Sequence, residues 1–386
     1  MNQLTSQGFR TLAGVIIAGV SVPLVPIIKR LPAVAVSVFL LTACNSSVEP
    51  TQPYDSGVLV INAGNFFDNN GSLSLVTRNT TTVSTDIFMK ENMRPITGGI
   101  SGYTETGEKG LILVDNSGAG LDKVEIVNAR TMKSVATLAA PDIENPRVAV
   151  GISADKAYVT CWGVTGQFPN FYANPGYVAV IDLTANRVVK KINLQKGAEG
   201  IIVVGSEAFV TGQGGERLIQ IIDTQKDELK ANSINIGGNA STMQLDANNK
   251  IWTFVGREAL RIDPNTKAIE ARIRVGSSTT KSPSTLTMSA DRRSIYYSYT
   301  FFDAADGFKQ KGEVYRFNIT DTTISDASPV VRRVFTGLGF DPTSNLLYAG
   351  STPSFKQAGY VIRYQPDGRL VDSVKVEIAP SGFFFK

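Results

Sequence analysis

A two-stranded hairpin that occurs seven times decides what this chain can fold into. Its clearest copy is Gly176 to Leu194, GYVAVIDLTANRVVKKINL. Tyr177 to Ile181 is an apolar, β-branched run that suits a strand. Asp182 to Asn186 carries turn chemistry, because an Asp side chain bonds the backbone two residues on. Val188, Val189 and Ile192 form the returning strand. The layout recurs from Gly71, Leu121, Arg217, Glu258, Gly312 and Gly359, and the first strands of successive copies start 41 to 55 residues apart. A four-strand unit repeating every ~40–50 residues is the mark of a propeller blade.

Every hairpin after the first follows two further strand-like runs. In the third unit these are Arg147 to Ser153 and Ala157 to Thr160. Their near-continuous small and β-branched residues suit strands buried on both faces. No segment sustains a helical period, and Gly, Asn, Asp and Ser punctuate the chain at short intervals. The expected fold is all-β: a seven-bladed β-propeller of four-stranded antiparallel blades over residues 57–386. The first unit lacks an inner strand and begins directly with Gly57 to Asn62. Ala379 to Phe385, which ends in three consecutive Phe, is the strand left over at the other end. This C-terminal strand is expected to complete blade 1 and close the ring, which protects sheet edges from pairing with other chains.

Residues 1–43 stand outside the repeats. Lys29-Arg30 precedes the apolar run Leu31 to Leu41, which is short for a bilayer span. Leu41-Thr42-Ala43-Cys44 then sets small residues before a cysteine. A basic pair, a short apolar core and small residues before a cut make a secretory signal, here resembling a bacterial lipobox. Residues 1–43 are therefore read as a lipoprotein signal peptide, Cys44 as the lipidated residue, and 44–56 as a flexible tether. The further apolar stretch Leu12 to Ile28 is broken by Pro23 and Pro26, which disfavours a spanning helix. The expected location is the outer membrane, at the cell surface or the periplasmic face, with the lipid as the membrane contact. The net charge of +4 owes most of its excess to Arg10, Lys29 and Arg30, so the folded part offers no electrostatic case for nucleic acid.

The chain has no histidine, which excludes a Ser-His-Asp triad, a Cys-His pair and His metal sites. Cys161 follows an apolar strand and reads as a small buried hydrophobe. Gly212 to Gly215 reads as a turn, and Asp68 to Gly71 as a hairpin turn in preference to a calcium loop. No catalytic, metal or cofactor residue is expected. Loop length is more informative. In a propeller, the loops after second strands and before inner strands share one face. The longest here are Trp162 to Pro175 and Thr300 to Lys311, joined by Asn62 to Asn70 and Ser351 to Ala358. Aromatic rings interleaved with Asn, Gln and Asp on such loops suit a medium-sized organic ligand or a protein partner. The candidate ligand-binding residues are Asn65, Phe66, Arg94, Arg147, Trp162, Phe168, Phe171, Tyr172, Tyr299, Phe301, Phe302 and Phe355.

The opening Asn62-Ala63-Gly64-Asn65-Phe66 with Asn70-Gly71-Ser72-Leu73-Ser74, and the ending Ile378 to Phe383, resemble secreted or lipid-anchored propellers of Bacteroidota-type bacteria in the wider YncE-like, YVTN-type repeat group. The resemblance covers residues 56 to 386. It implies the propeller fold and, from some relatives, capture of a corrinoid such as cobalamin for an outer-membrane TonB-dependent transporter. The expected function is a non-enzymatic, monomeric, lipid-anchored binding protein for a small organic ligand. Its alternatives are a protein-interaction scaffold and a lactonase-like hydrolase with a carboxylate-held metal, for which Glu199 is the best acid.

Overall fold

The computed structural model describes residues 52–240 and 242–386. The expected signal peptide, Cys44 and the tether as far as residue 51 lie outside them. Among the described residues are seven antiparallel sheets, one for each hairpin repeat. In blade 3, Pro146–Ser153, Lys156–Cys161, Pro175–Asp182 and Arg187–Lys196 are hydrogen-bonded in that order from the inside outward. The two middle strands are almost wholly buried, whereas the outer strand buries only Ile192 and Leu194.

The core is divided into layers between blades. Along Pro175–Asp182, Tyr177, Ala179 and Ile181 pack against Leu111, Leu113 and Val124 of blade 2. Val178 and Val180 point the other way, onto Ile201, Ala208 and Val210 of blade 4. Successive side chains of a strand face opposite sides, so a strand with a blade on each side must be apolar at every position. That is why the hairpin repeats read as continuous apolar runs.

The ring closes as the sequence implies. Pro380–Phe385 is the inner strand of blade 1, antiparallel to Val58–Asn62, with Val58 opposite Phe385 and Val60 opposite Phe383. It also meets the inner strands of blades 7 and 2. The three consecutive Phe alternate between those neighbours. Phe383 and Phe385 lie 5.8 and 5.4 Å from Tyr348 of blade 7, and Phe384 lies 5.2 Å from Tyr103 of blade 2. Lys386 Nζ reaches Glu105 at 2.6 Å.

The turn chemistry also holds. Asp182 Oδ1 accepts from the backbone N–H groups of Thr184 and Ala185, both at 2.9 Å. Asp223 and Asp263 cap the corresponding turns of blades 4 and 5 in the same way. Lys250 and these N–H groups hold the Asp263 carboxyl down at about 2.

Three features differ from the expectation. Blade 6 has three strands, Pro283–Met288, Ser294–Asp303 and Lys309–Asn318. Its fourth position holds only a bridge between Val314 and Val331, just after Pro329, which has no N–H to give to a ladder. Thr300 to Lys311, expected to be a loop, continues that ladder as a ribbon in which Phe301 pairs with Lys311 and Phe302 with Gln310. Only residues 304–308 turn at its tip, beginning with the short 3-10 helix Ala304–Asp306. Finally, Tyr54, within the expected tether, is buried with Ile87 and Phe88 of the short helix Ile87–Asn92 and donates to Glu91 at 2.6 Å.

Candidate functional site

Two clefts open on the face that carries the loops after second strands, and they share a wall. One, of about 420 Å³, lies between blades 2 and 3 and is lined by Asp115, Asn116, Asp122, Glu144, Asn145, Trp162 and Phe171. The other, of about 580 Å³, is lined by Asn65, Phe67, Ile100 and Ser101, by Phe355 of blade 7, and by Ser381 of the closing strand. Phe66, Asp115 and Arg147 line both.

Arg147 enters at the start of the inner strand of blade 3. Its Nη1 lies 3.3 Å from Asp115 Oδ2 and its Nε 3.4 Å from Glu199 Oε2. Its guanidinium sits 4.0 Å from the centroid of the Trp162 ring, a cation–π contact. Trp162 Nε1 donates to Glu199 Oε2 at 2.7 Å. Residues from blades 2, 3 and 4 are thereby tied into one polar and aromatic unit.

The Asp115 side chain is only 17% exposed, and its Oδ1 has no hydrogen-bond partner. Burial pushes this carboxyl up to about 6; Arg147 opposes the rise and Asp122 reinforces it. Burial raises Asp122 too, against the N–H groups of Asn116 and Asn145 that it accepts at 2.8 and 2.9 Å.

The loop Trp162 to Pro175 is shaped by its rings. Trp162, Phe171 and Tyr172 pack edge to face, with centroids 5.7, 5.1 and 5.1 Å apart. Tyr172 seats on blade 4 against Gly197 and Gly214, both at positive φ, where a Cβ would come within 2.9 and 2.7 Å of it. Gly212 to Gly215, expected to be a plain turn, thus also makes room for this ring. Asn65 holds its own loop: its Oδ1 accepts from Phe67 N at 3.1 Å and Asp68 N at 3.3 Å.

The clefts bring together six of the sequence candidates: Asn65, Phe66, Arg147, Trp162, Phe171 and Phe355. Tyr172 braces two of them. The others stand elsewhere. Phe168 is on the same loop but 93% exposed and lines neither cleft. Phe302, 68% exposed, is on the blade 6 ribbon. Phe301 packs against the blade 5–6 core, with Lys281 Nζ 3.9 Å from its centroid. Tyr299 is wholly buried in that core and donates to the Val275 carbonyl at 3.1 Å, so it serves the scaffold. Arg94 lies 2.5 Å from the buried carboxylate of Glu125 and 4.9 Å from the Phe88 centroid; it neutralises a buried charge away from both clefts.

Sequence reasoning missed Asp115, Asp122, Glu144 and Ser381 as lining residues. The available signal for Asp115 was its place at the end of a second strand, the position that Asn62 and Cys161 hold in blades 1 and 3. Among the described residues, no group of three or more Cys, Asp or Glu is arranged to hold a metal ion.

Architecture and clefts define the class: a seven-bladed β-propeller with loop-built clefts on one face. The chain belongs to the DUF5074 family, a domain of unknown function, whose family model matches residues 56–386. No curated protein matches. Among solved structures it is similar to a quinonprotein alcohol dehydrogenase-like protein from Bacteroides thetaiotaomicron, with a TM-score of 0.61 and 15% identity over 84% of this chain and 78% of that one. Hydrazine synthase of Kuenenia stuttgartiensis follows, with a TM-score of 0.54 and 18% identity over 73% of this chain and 88% of that one. The Pan2 WD40 domain of Neurospora crassa gives 0.50 and 13%, covering 74% and 81%. At such identities the likeness concerns the fold alone.

Proposed function

We propose that this chain is a non-enzymatic, YncE-like binding propeller of the cell envelope that captures an organic ligand in the paired clefts. The observation that carries the reading is the Asp115–Arg147–Trp162 unit standing where two clefts meet. Each cleft falls within the ~300–1,000 Å³ typical of sites for small organic molecules. Their walls combine aromatic rings with a few fixed polar groups, the usual composition of such sites. The lipobox-like Leu41 to Cys44 supports anchoring to the outer membrane through a lipid on Cys44. The resemblance of the chain's opening and ending supports a corrinoid as cargo and a TonB-dependent transporter as recipient.

The test is calorimetric titration of the protein lacking residues 1–43 with cobalamin and with cobinamide, alongside Trp162→Ala. Binding heat that disappears in the variant supports the reading. Absence of heat at micromolar protein rejects the corrinoid. Incorporation of labelled palmitate, abolished by Cys44→Ser, checks the anchor.

A further inference from the structure

We propose that the cleft between blades 2 and 3 selects organic cations: amine-bearing or quaternary ammonium compounds that carry an apolar group. This rests on the ligand-capture reading above and adds the charge of the ligand to it.

The charges lining the cleft are unbalanced. Asp115, Asp122 and Glu144 line it, and Arg147 is the one basic side chain there. Arg147 is already engaged, with Asp115 on one side and Glu199 on the other. Both oxygens of Asp122 are held by backbone N–H groups, which leave its charge in place. Glu144 has no cationic partner among the described residues, and Glu199, just behind Trp162, adds a fourth carboxylate. An incoming anion would meet this surplus at short range, in surroundings that screen it less than water does. A cation would be drawn to it.

The walls favour the same choice. Phe66, Trp162 and Phe171 line the cleft, and Phe66 and Phe171 are partly open to solvent. The electron-rich faces of such rings attract organic cations, and rings combined with carboxylates are how ammonium groups are held in proteins. Arg147 already covers Trp162 in this way, which leaves the open rings of Phe66 and Phe171 to a ligand. The neighbouring cleft differs. Its only charged lining residues are the paired Asp115 and Arg147, among Ala63, Phe66, Phe67, Ile100 and Phe355. A ligand reaching across the shared wall would place its ammonium between blades 2 and 3 and its apolar body over blades 1 and 7.

The chain has two tryptophans. Trp252 is wholly buried in the core, so a saturable change in emission reports on Trp162. Phenethylamine, 2-phenylethanol and phenylacetate offer one ring with a positive, neutral or negative group. With the full chain, phenethylamine is expected to bind at least roughly tenfold more tightly than phenylacetate, a difference of about 1.4 kcal/mol. Glu144→Gln should shrink that preference severalfold without altering 2-phenylethanol binding. Trp162→Phe should abolish the signal. Equal or tighter binding of phenylacetate overturns the charge selection while leaving capture by the cleft standing. A signal that persists in Trp162→Phe, or no saturable signal with any of the three at millimolar concentration, also overturns it, and the corrinoid titration then judges the capture reading separately.

Discussion

Two groups of aromatic rings in this propeller share a composition and differ in what they do. Tyr297, Tyr299, Tyr315 and Phe317 interlock with Trp252 between blades 5 and 6, with centroids 5.3 to 5.9 Å apart. Trp162, Phe171 and Tyr172 pack at similar distances but on a loop, against Arg147, Glu199 and a cleft. The first group is ordered by the strand period. Tyr297, Tyr299 and Phe301 face blade 5, while Tyr296 faces Phe340 of blade 7. The second group has no ladder to order it and is held by ring edges, one cation and two glycines. Rings buried in a ladder are scaffold; rings outside it are free to be a site.

That contrast can be broken by experiment. The largest expected effect tests the scaffold as a whole: deleting residues 379–386 removes the inner strand of blade 1 and should abolish cooperative thermal unfolding. An unchanged melting curve would defeat ring closure. Next, Tyr297→Ala should cost about 3–5 kcal/mol of stability, as large aromatic truncations in cores do, with no specific effect on ligand capture. Trp162→Ala should show the reverse: about 1 kcal/mol in denaturant unfolding and loss of binding in the titration. Equal destabilisation by the two would erase the distinction.

A third expectation concerns the charge beneath the site. The Asp115 carboxyl is raised from its ordinary 3.8 to about 6. Between these values the folded chain holds more protons on it than the unfolded chain does, so its contribution to stability falls as pH rises through that window and stays low above it. At about 1.4 kcal/mol per pKa unit, Asp115→Asn should stabilise the protein at pH 7 by no more than about 3 kcal/mol. The gain should vanish near pH 4. A pH-independent difference in urea midpoints would assign the effect to packing. The smallest effect belongs to the exposed rings: Phe168→Ser and Phe302→Ser should each change stability by under about 0.5 kcal/mol.

The fold was legible because each blade repeats one pattern and both faces of its middle strands are covered. Even the final Phe-Phe-Phe could be read as a strand, since a missing inner strand and an apolar terminus fitted each other. The site was legible only in part. Loop rings such as Phe66 and Trp162 announce themselves, whereas Asp115 and Asp122 lie at strand ends and look like ordinary turn residues. Tyr299 misled because a strand that runs on into an aromatic loop gives no local sign of where burial stops. Arg94 misled because its partner, Glu125, is a lone acid in an apolar strand 31 residues further along the chain, and the pairing exists only after folding.

The closing strand also sets an order of events during synthesis. Blades 2 to 7 are each built from one continuous stretch of chain, so each has all its own strands once that stretch has been made, and it buries its faces as its neighbours follow. Blade 1 joins residues 58–62 to 380–385, and its inner strand is therefore made after blades 2 to 7. Until then Val58–Asn62 has a bare edge beside it, and the ring cannot lock. A chain whose first blade waits for residues 380–385 keeps that blade incomplete until the other six have been made.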